Sequence, residues 1–144
     1  VAQNTMEAII RTESKVNYLA IGLNHGFRLV YQAKNLHQAE AWVAYLEKHK
    51  YNFDIGLALV IINNVHKFVY TAVNALDPCT NLKISAKILA KNYTSALSTS
   101  SNQNDALLKA ISAYNTGNNR RGFENGYVAK VIYNANWVEA QSAK

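Results

Sequence analysis

Apolar residues recur three and four apart in five separate stretches of this chain. They are Met6, Ile9 and Ile10; Leu36, Ala39, Val43 and Leu46; Leu82, Ala86, Leu89, Tyr93 and Leu97; Leu107, Ile111 and Tyr114; and Val128, Val131, Ala135 and Val138. That spacing lines one face of an α-helix, so the fold must bury several amphipathic helices together. Strand signal is minor, and the expected class is mainly α with a small β element (α+β). A chain of 144 residues has the length of one ordinary domain, and a domain of that size buries about 68–70% of its unfolded surface. We therefore expect residues 1–144 to form a single domain that needs no disulfide or metal staple.

Local signals place the elements. Asn4 with Glu7 reads as an N-cap and capping-box partner opening a helix that runs to about Ser14. Gly22 and Gly26 flank Asn24 and His25 within residues 18–32, between β-prone runs, which predicts a small two-stranded hairpin there. Asn35 and Gln38 repeat the capping logic ahead of the second helix. The stretch from Asn52 to Phe68 begins with Asp54 and Gly56, becomes almost wholly apolar, and reads as the centre of the protein. Asp77 and Pro78 form an N-cap and first helical residue for a long helix. Asp105 is expected to cap the next helix, at about 104–115, and a last helix runs over about 125–140.

Composition excludes several classes. No run reaches the roughly 18 apolar residues of a membrane span, and IGLALVII at 55–62 is the longest candidate. The lone Cys79 cannot form an internal disulfide and falls on the stripe with Leu82 and Ala86, where packing is its expected role. Fifteen Lys and Arg against nine acids give a formal charge of +6, which suits an anionic partner. The basic residues are scattered, however, and lack the interleaved aromatics of a nucleic-acid footprint. His25, His37, His49 and His66 show no metal-ligand spacing, so no metal or other cofactor is expected. Val1 opens the chain without an initiator Met or signal peptide, which fits either a mature or a trimmed form.

Two places bear chemistry. Glu13 continues the Met6–Ile9–Ile10 series, so a stripe that should enter a core ends in a carboxyl. Partial burial and the negative end of a helix dipole both favour the protonated carboxyl, the form a general acid needs. The plain alternative is a partly exposed Glu in the last turn of an amphipathic helix. At 112–118, SAYNTGN, a helical run stops in Asn115, Thr116 and Gly117. On the residues alone Tyr114 reads first as a core aromatic, and Asn115 as a C-terminal cap.

RTES at 11–14, NFDIGLA at 52–58, DPCTNL at 77–82 and SAYNTGN to GFENGYV at 112–128 resemble, in order and spacing, the lytic transglycosylases of type IV secretion and conjugation systems. These belong to the lysozyme-like superfamily, and the resemblance runs from about Met6 to about Ile132. It implies several helices around a catalytic cleft with a small β-hairpin, and a periplasmic enzyme. The implied substrate is peptidoglycan glycan, with type IV secretion components as partners. It further implies that Glu13 alone serves as general acid and base, because the 6-hydroxyl of muramic acid attacks and leaves a 1,6-anhydro end. Ser14 would orient substrate or acid, Tyr114 and Asn115 would line the cleft, and Tyr127 would hydrogen-bond Glu13. Asp54 is the one remaining candidate for a second acid. The family's GL-x-Q-x-N run is broken here, since Gly56 and Leu57 are followed by Leu59 and Ile61. A weakly active or inactive wall-binding module of the same fold is therefore the alternative expectation.

Overall fold

The computed structural model describes residues 2–143. Their elements run α1 (Gln3–Ser14), β1 (Ile21–Leu23), α2 (Leu36–Lys48), β2 (Phe53–Ile55), β3 (Val60–Ile61), α3 (Ile62–Lys67), α4 (Ala72–Leu76), α5 (Pro78–Leu97), α6 (Gln103–Thr116), α7 (Arg121–Glu124) and α8 (Tyr127–Ser142). The architecture is mainly helical with a small antiparallel sheet, the class the periodicity predicts. Two compact units divide the chain, one of residues 13–85 and one of residues 2–12 with 86–143.

The sheet belongs to residues 13–85 and has the order β1-β2-β3. Ile21 faces Ile55 and Leu23 faces Phe53 across the first pair, and Ile55 faces Val60 across the second. Phe53, Ile55 and Val60 are almost fully buried, so 52–62 is indeed central to this unit. The hairpin expected within residues 18–32 does not form. β1 pairs instead with β2, and the side-chain amide of Gln32 takes β1's other edge, accepting from the Ile21 N–H (3.2 Å) and donating to the Ile21 carbonyl (2.9 Å). One side chain satisfies both backbone groups that a second ribbon strand would have met.

Helix caps follow local chemistry closely. Asn35 accepts from the Gln38 N–H at 2.9 Å to start α2, whose Ala39, Val43 and Leu46 are buried while Leu36 stays exposed. Asp77 accepts from both the N–H and the hydroxyl of Thr80 (2.9 and 3.0 Å) to start α5 behind Pro78. The face α5 buries differs from the expected stripe. Asn81, Ile84, Ser85, Leu89 and Ala96 are buried, whereas Leu97 and Cys79 are exposed. Polar Asn81 and Ser85 occupy core positions, so a reading of apolar residues alone turns the face aside: Leu89 is buried as expected, Leu82, Ala86 and Tyr93 are half-buried, and Cys79 with Leu97 is exposed.

In the other unit, α7 packs with both α6 and α8. Met6, Ala8, Ile9 and Ile10 of α1 are buried, and so are Val128, Val131 and Val138 of α8. Arg11 lies over the Trp137 ring at 4.0 Å, and Asn134 donates to the Thr12 hydroxyl at 3.0 Å. Two expected caps shift. The first turn of α1 bonds back to the Ala2 carbonyl, from Thr5 (3.1 Å) and Met6 (3.3 Å), so Asn4 lies inside the helix. Asn102 rather than Asp105 caps α6, accepting from the Asp105 N–H at 2.8 Å, while Asp105 accepts from the Ser101 N–H at 3.1 Å. Asn102 thus meets an orphan N–H of the helix start, while Asp105 folds back to the residue before the cap.

Candidate active site

Glu13 and Ser14 close α1 and line one recess of about 260 Å³ together with Lys15, Asn17, Ala20, Ile21, Gly22, Gln32 and Leu59. Glu13 is half-buried there. The chain leaves the helix abruptly, because Lys15 and Val16 both adopt left-handed backbone (φ 56° and 66°). Such a conformation costs a non-glycine residue roughly 1–2 kcal/mol, most for a β-branched one such as Val16. What holds the turn is Ser14. Its hydroxyl donates to the Leu57 carbonyl at 2.6 Å and accepts from the Asn17 N–H at 3.1 Å. Asn17 in turn accepts from the Leu19 N–H at 3.0 Å, leading the chain into β1. The residue adjoining the acid is thus bonded to the glycine-leucine segment that the sequence singled out.

That segment is itself held from a distance. Gly56 has φ 84°, and a Cβ there would meet the Asn81 amide and come within 2.6 Å of the Ala75 carbonyl, so only glycine fits. Asn81 is fully buried; it accepts from the Ala58 N–H (2.8 Å) and donates to the carbonyls of Ile55 and Ala75 (2.9 Å each). Leu59, two residues beyond Leu57, is also left-handed (φ 46°) and presents its side chain to the Glu13 recess. The break in the family's motif therefore falls on the wall of the recess. Ile61 lies in β3 opposite Asp54 and is not on that wall.

Asp54 sits on β2, where Asn24 donates to its carboxylate at 3.1 Å and also to Asn52 at 2.5 Å. Burial pushes its carboxyl above the ordinary range, and the Asn24 bond offsets part of that rise. The residues lining the Glu13 recess do not include Asp54.

In the other unit, Tyr114 and Asn115 occupy the last turn of α6, which ends at Gly117, and Tyr127 is buried at the first position of α8. Asn125 joins these two elements. It donates to the Asn115 amide oxygen at 3.0 Å and accepts from the Tyr127 N–H at 2.9 Å. Sequence reasoning passed over Asn125, although it stands in the GFENGYV run. Asn118 accepts from the N–H groups of Arg120 and Arg121 (2.8 and 3.1 Å) and so opens α7. Buried Ser112 donates to the Asn118 carbonyl at 2.7 Å and accepts from the Gly122 N–H at 2.8 Å. Gln32 and Asn81 were missed as well. Each acts on main chain more than ten residues distant, which no local pattern reveals.

Among the described residues no three His, Cys, Asp or Glu side chains gather as a metal site, and the four histidines are exposed. No helix among them is long and apolar enough to cross a membrane.

The sequence profile of the transglycosylase SLT domain matches residues 1–136. The chain is 39% identical over 141 residues to the type IV secretion system protein virB1 of Brucella abortus biovar 1, covering 94% of this chain and 59% of that protein. It is 36% identical over 134 residues to protein virB1 of Agrobacterium fabrum, covering 91% and 53%, and 38% identical over 132 residues to protein virB1 of Rhizobium radiobacter, covering 91% and 54%. It thus spans little more than half the length of these relatives. No solved structure matches.

Proposed function

This chain belongs to the transglycosylase SLT domain family, and on that premise we propose that it is a peptidoglycan lytic transglycosylase. It acts as one domain in the periplasm, opening glycan strands for a type IV secretion or conjugation apparatus. The observation that carries this reading is Glu13 half-buried in its recess, its neighbour Ser14 bonded to Leu57 of the glycine-leucine segment. Protonated Glu13 gives its proton to the β-1,4 glycosidic oxygen between muramic acid and glucosamine, and the C1–O bond breaks. The resulting carboxylate then takes the proton of the muramic acid 6-hydroxyl as that oxygen bonds to the oxocarbenium-like C1. One carboxyl performs both transfers and no water is consumed. Tyr114, Asn115 and Tyr127 bind or orient the sugars in this reading, as the resemblance implies, and Ser14 fixes the end of α1.

Digesting purified peptidoglycan and weighing the products tests it. Anhydro-muropeptides are expected, and Glu13→Gln is expected to remove a general-acid contribution of about 10²–10⁴-fold. Reducing ends would mean hydrolysis with a second acid such as Asp54, and no products from folded protein would refute both. Leu59 on the recess wall favours a second reading, an impaired or inactive module that binds the wall. A sugar hydroxyl facing Leu59 lacks a partner worth roughly 1–3 kcal/mol. A rise in rate in Leu59→Gln, alone or with Ile61→Asn, would support that reading.

A further inference from the structure

Helix α2 is apolar on two faces. Ala39, Val43 and Leu46 make one, which is buried within residues 13–85. Ala41, Trp42 and Tyr45 make the other, and with Phe27 and Tyr31 from the segment ahead of the helix they line a hollow of about 520 Å³. The rings brace one another, Phe27 edge-on to Tyr51 at 5.3 Å and Trp42 against Tyr31 at 5.5 Å. Yet Phe27 is 55%, Tyr31 57% and neighbouring Val30 89% exposed. A surface helix ordinarily turns polar residues outward, so apolar surface gathered in this way marks an interaction face.

Charge selects what fits it. Arg28 is the one charged residue among those lining the hollow. His49 lies against Tyr45 with ring centroids 4.4 Å apart, and Lys48 and Lys50 flank it where the chain turns towards Tyr51. Arg28, Lys48 and Lys50 are exposed and form no ion pair among the described residues. The acids of α2 lie elsewhere. At about 3.6 residues per turn, Glu40 and Glu47 share a face roughly half a turn from Gln38, Trp42 and Tyr45, and Glu47 sits 3.4 Å from His66. An aromatic hollow with cations beside it and acids turned away suits an apolar side chain flanked by carboxylates. Arg set among Tyr and Trp is also the composition that carries most of the binding energy at protein interfaces. A second copy of this chain fits poorly, because a two-fold contact sets the patch against itself and brings like charges together. Nucleic acid needs a track of cations along its backbone, and this lining holds one.

We propose that this hollow docks an acidic segment of a partner protein, seating a Trp, Phe or Leu anchor among Tyr31, Trp42 and Tyr45 while flanking Asp or Glu meet Arg28 and the Lys48–Lys50 turn. Selection of random linear peptides displayed on phage against the full chain tests it. The enriched sequences are expected to carry such an anchor beside Asp or Glu. A synthetic peptide of the most enriched sequence, titrated by calorimetry, is expected to bind about tenfold more weakly to Arg28→Glu and to Tyr31→Ala, and more weakly to the parent as salt rises. Both substitutions fall at exposed positions, and a thermal melt establishes that the variants fold. Their turnover of peptidoglycan is expected to equal the parent's, since neither residue lines the Glu13 recess. No enrichment, enriched peptides without acids, or a peptide held equally by both variants would overturn the proposal. So would a dimer of the parent that Tyr31→Ala dissociates, which would make the occupant a second copy. Loss of turnover in folded Arg28→Glu would overturn it too, by making the hollow part of the substrate cleft.

Discussion

Each unit steadies a turn with a buried polar side chain set against a glycine, but the two devices draw on different ranges of sequence. In residues 86–143, Ser112 bonds to Asn118 and Gly122, six and ten positions along the chain. In residues 13–85, Asn81 reaches back 23 and 26 positions to Ala58 and Ile55, and six to Ala75. The local device also has a deputy, because the Thr116 hydroxyl donates to the same Asn118 carbonyl at 2.9 Å. Asn81 supplies three main-chain bonds through one amide. A turn closed by distant sequence here places three of its main-chain bonds on one residue, and that turn carries Leu57, the partner of Ser14 beside Glu13.

The comparison breaks first at Asn81. Asn81→Ala removes three hydrogen bonds at roughly 1 kcal/mol each and leaves a void, so denaturant unfolding is expected to show a loss of about 4 kcal/mol. Turnover should fall as well, because Leu57 and Ser14 lose their register. If stability drops while turnover per folded molecule stays, the link from Asn81 to the acid is wrong. Gly56→Ala comes next, at about 3 kcal/mol, since it forces left-handed backbone on a Cβ that also meets Ala75 and Asn81. Gly122→Ala needs no left-handed backbone and meets Ser112 first, with its Cα at 2.5 Å, so about 2 kcal/mol is expected in the same assay. Ser112→Ala should cost less, about 1–2 kcal/mol, because Thr116 still serves Asn118 and only the Gly122 N–H loses its partner. A Ser112 loss equal to that of Asn81 would erase the distinction.

The smallest effect concerns pH. Asp54 has its carboxyl raised in the folded protein, chiefly by burial, so folding favours its protonated form. Its contribution is fully present below the unfolded pKa, about 3.9, and is lost as pH rises through the folded value. Thermal melts of Asp54→Asn should therefore lack that decline and lie slightly above the parent at neutral pH. Anhydro products should persist in this variant; their disappearance would give Asp54 a chemical role. Asp77 and Asp105 run the other way. Hydrogen bonds from Thr80 and from Ser101, respectively, lower their carboxyls, so their support is present above the unfolded pKa and fades as pH falls through the folded one.

What could be read from the chain alone was whatever one or two helical turns decide. The Asn35 and Asp77 caps, the buried faces of α1 and α8 and the end of α6 at Gly117 all rest on groups a few residues apart, whose geometry the helix itself supplies. The half-buried position of Glu13 was legible for the same reason, as the next place on an apolar stripe. Three features depended on residues meeting across the fold. Gln32 completes the edge of β1 in place of a strand, Asn81 makes a polar side chain the core of its turn, and Leu59 comes to face the Glu13 recess. A side-chain amide can replace strand or turn partners wherever the chain brings it, because hydrogen bonding constrains distance and angle but not separation in sequence.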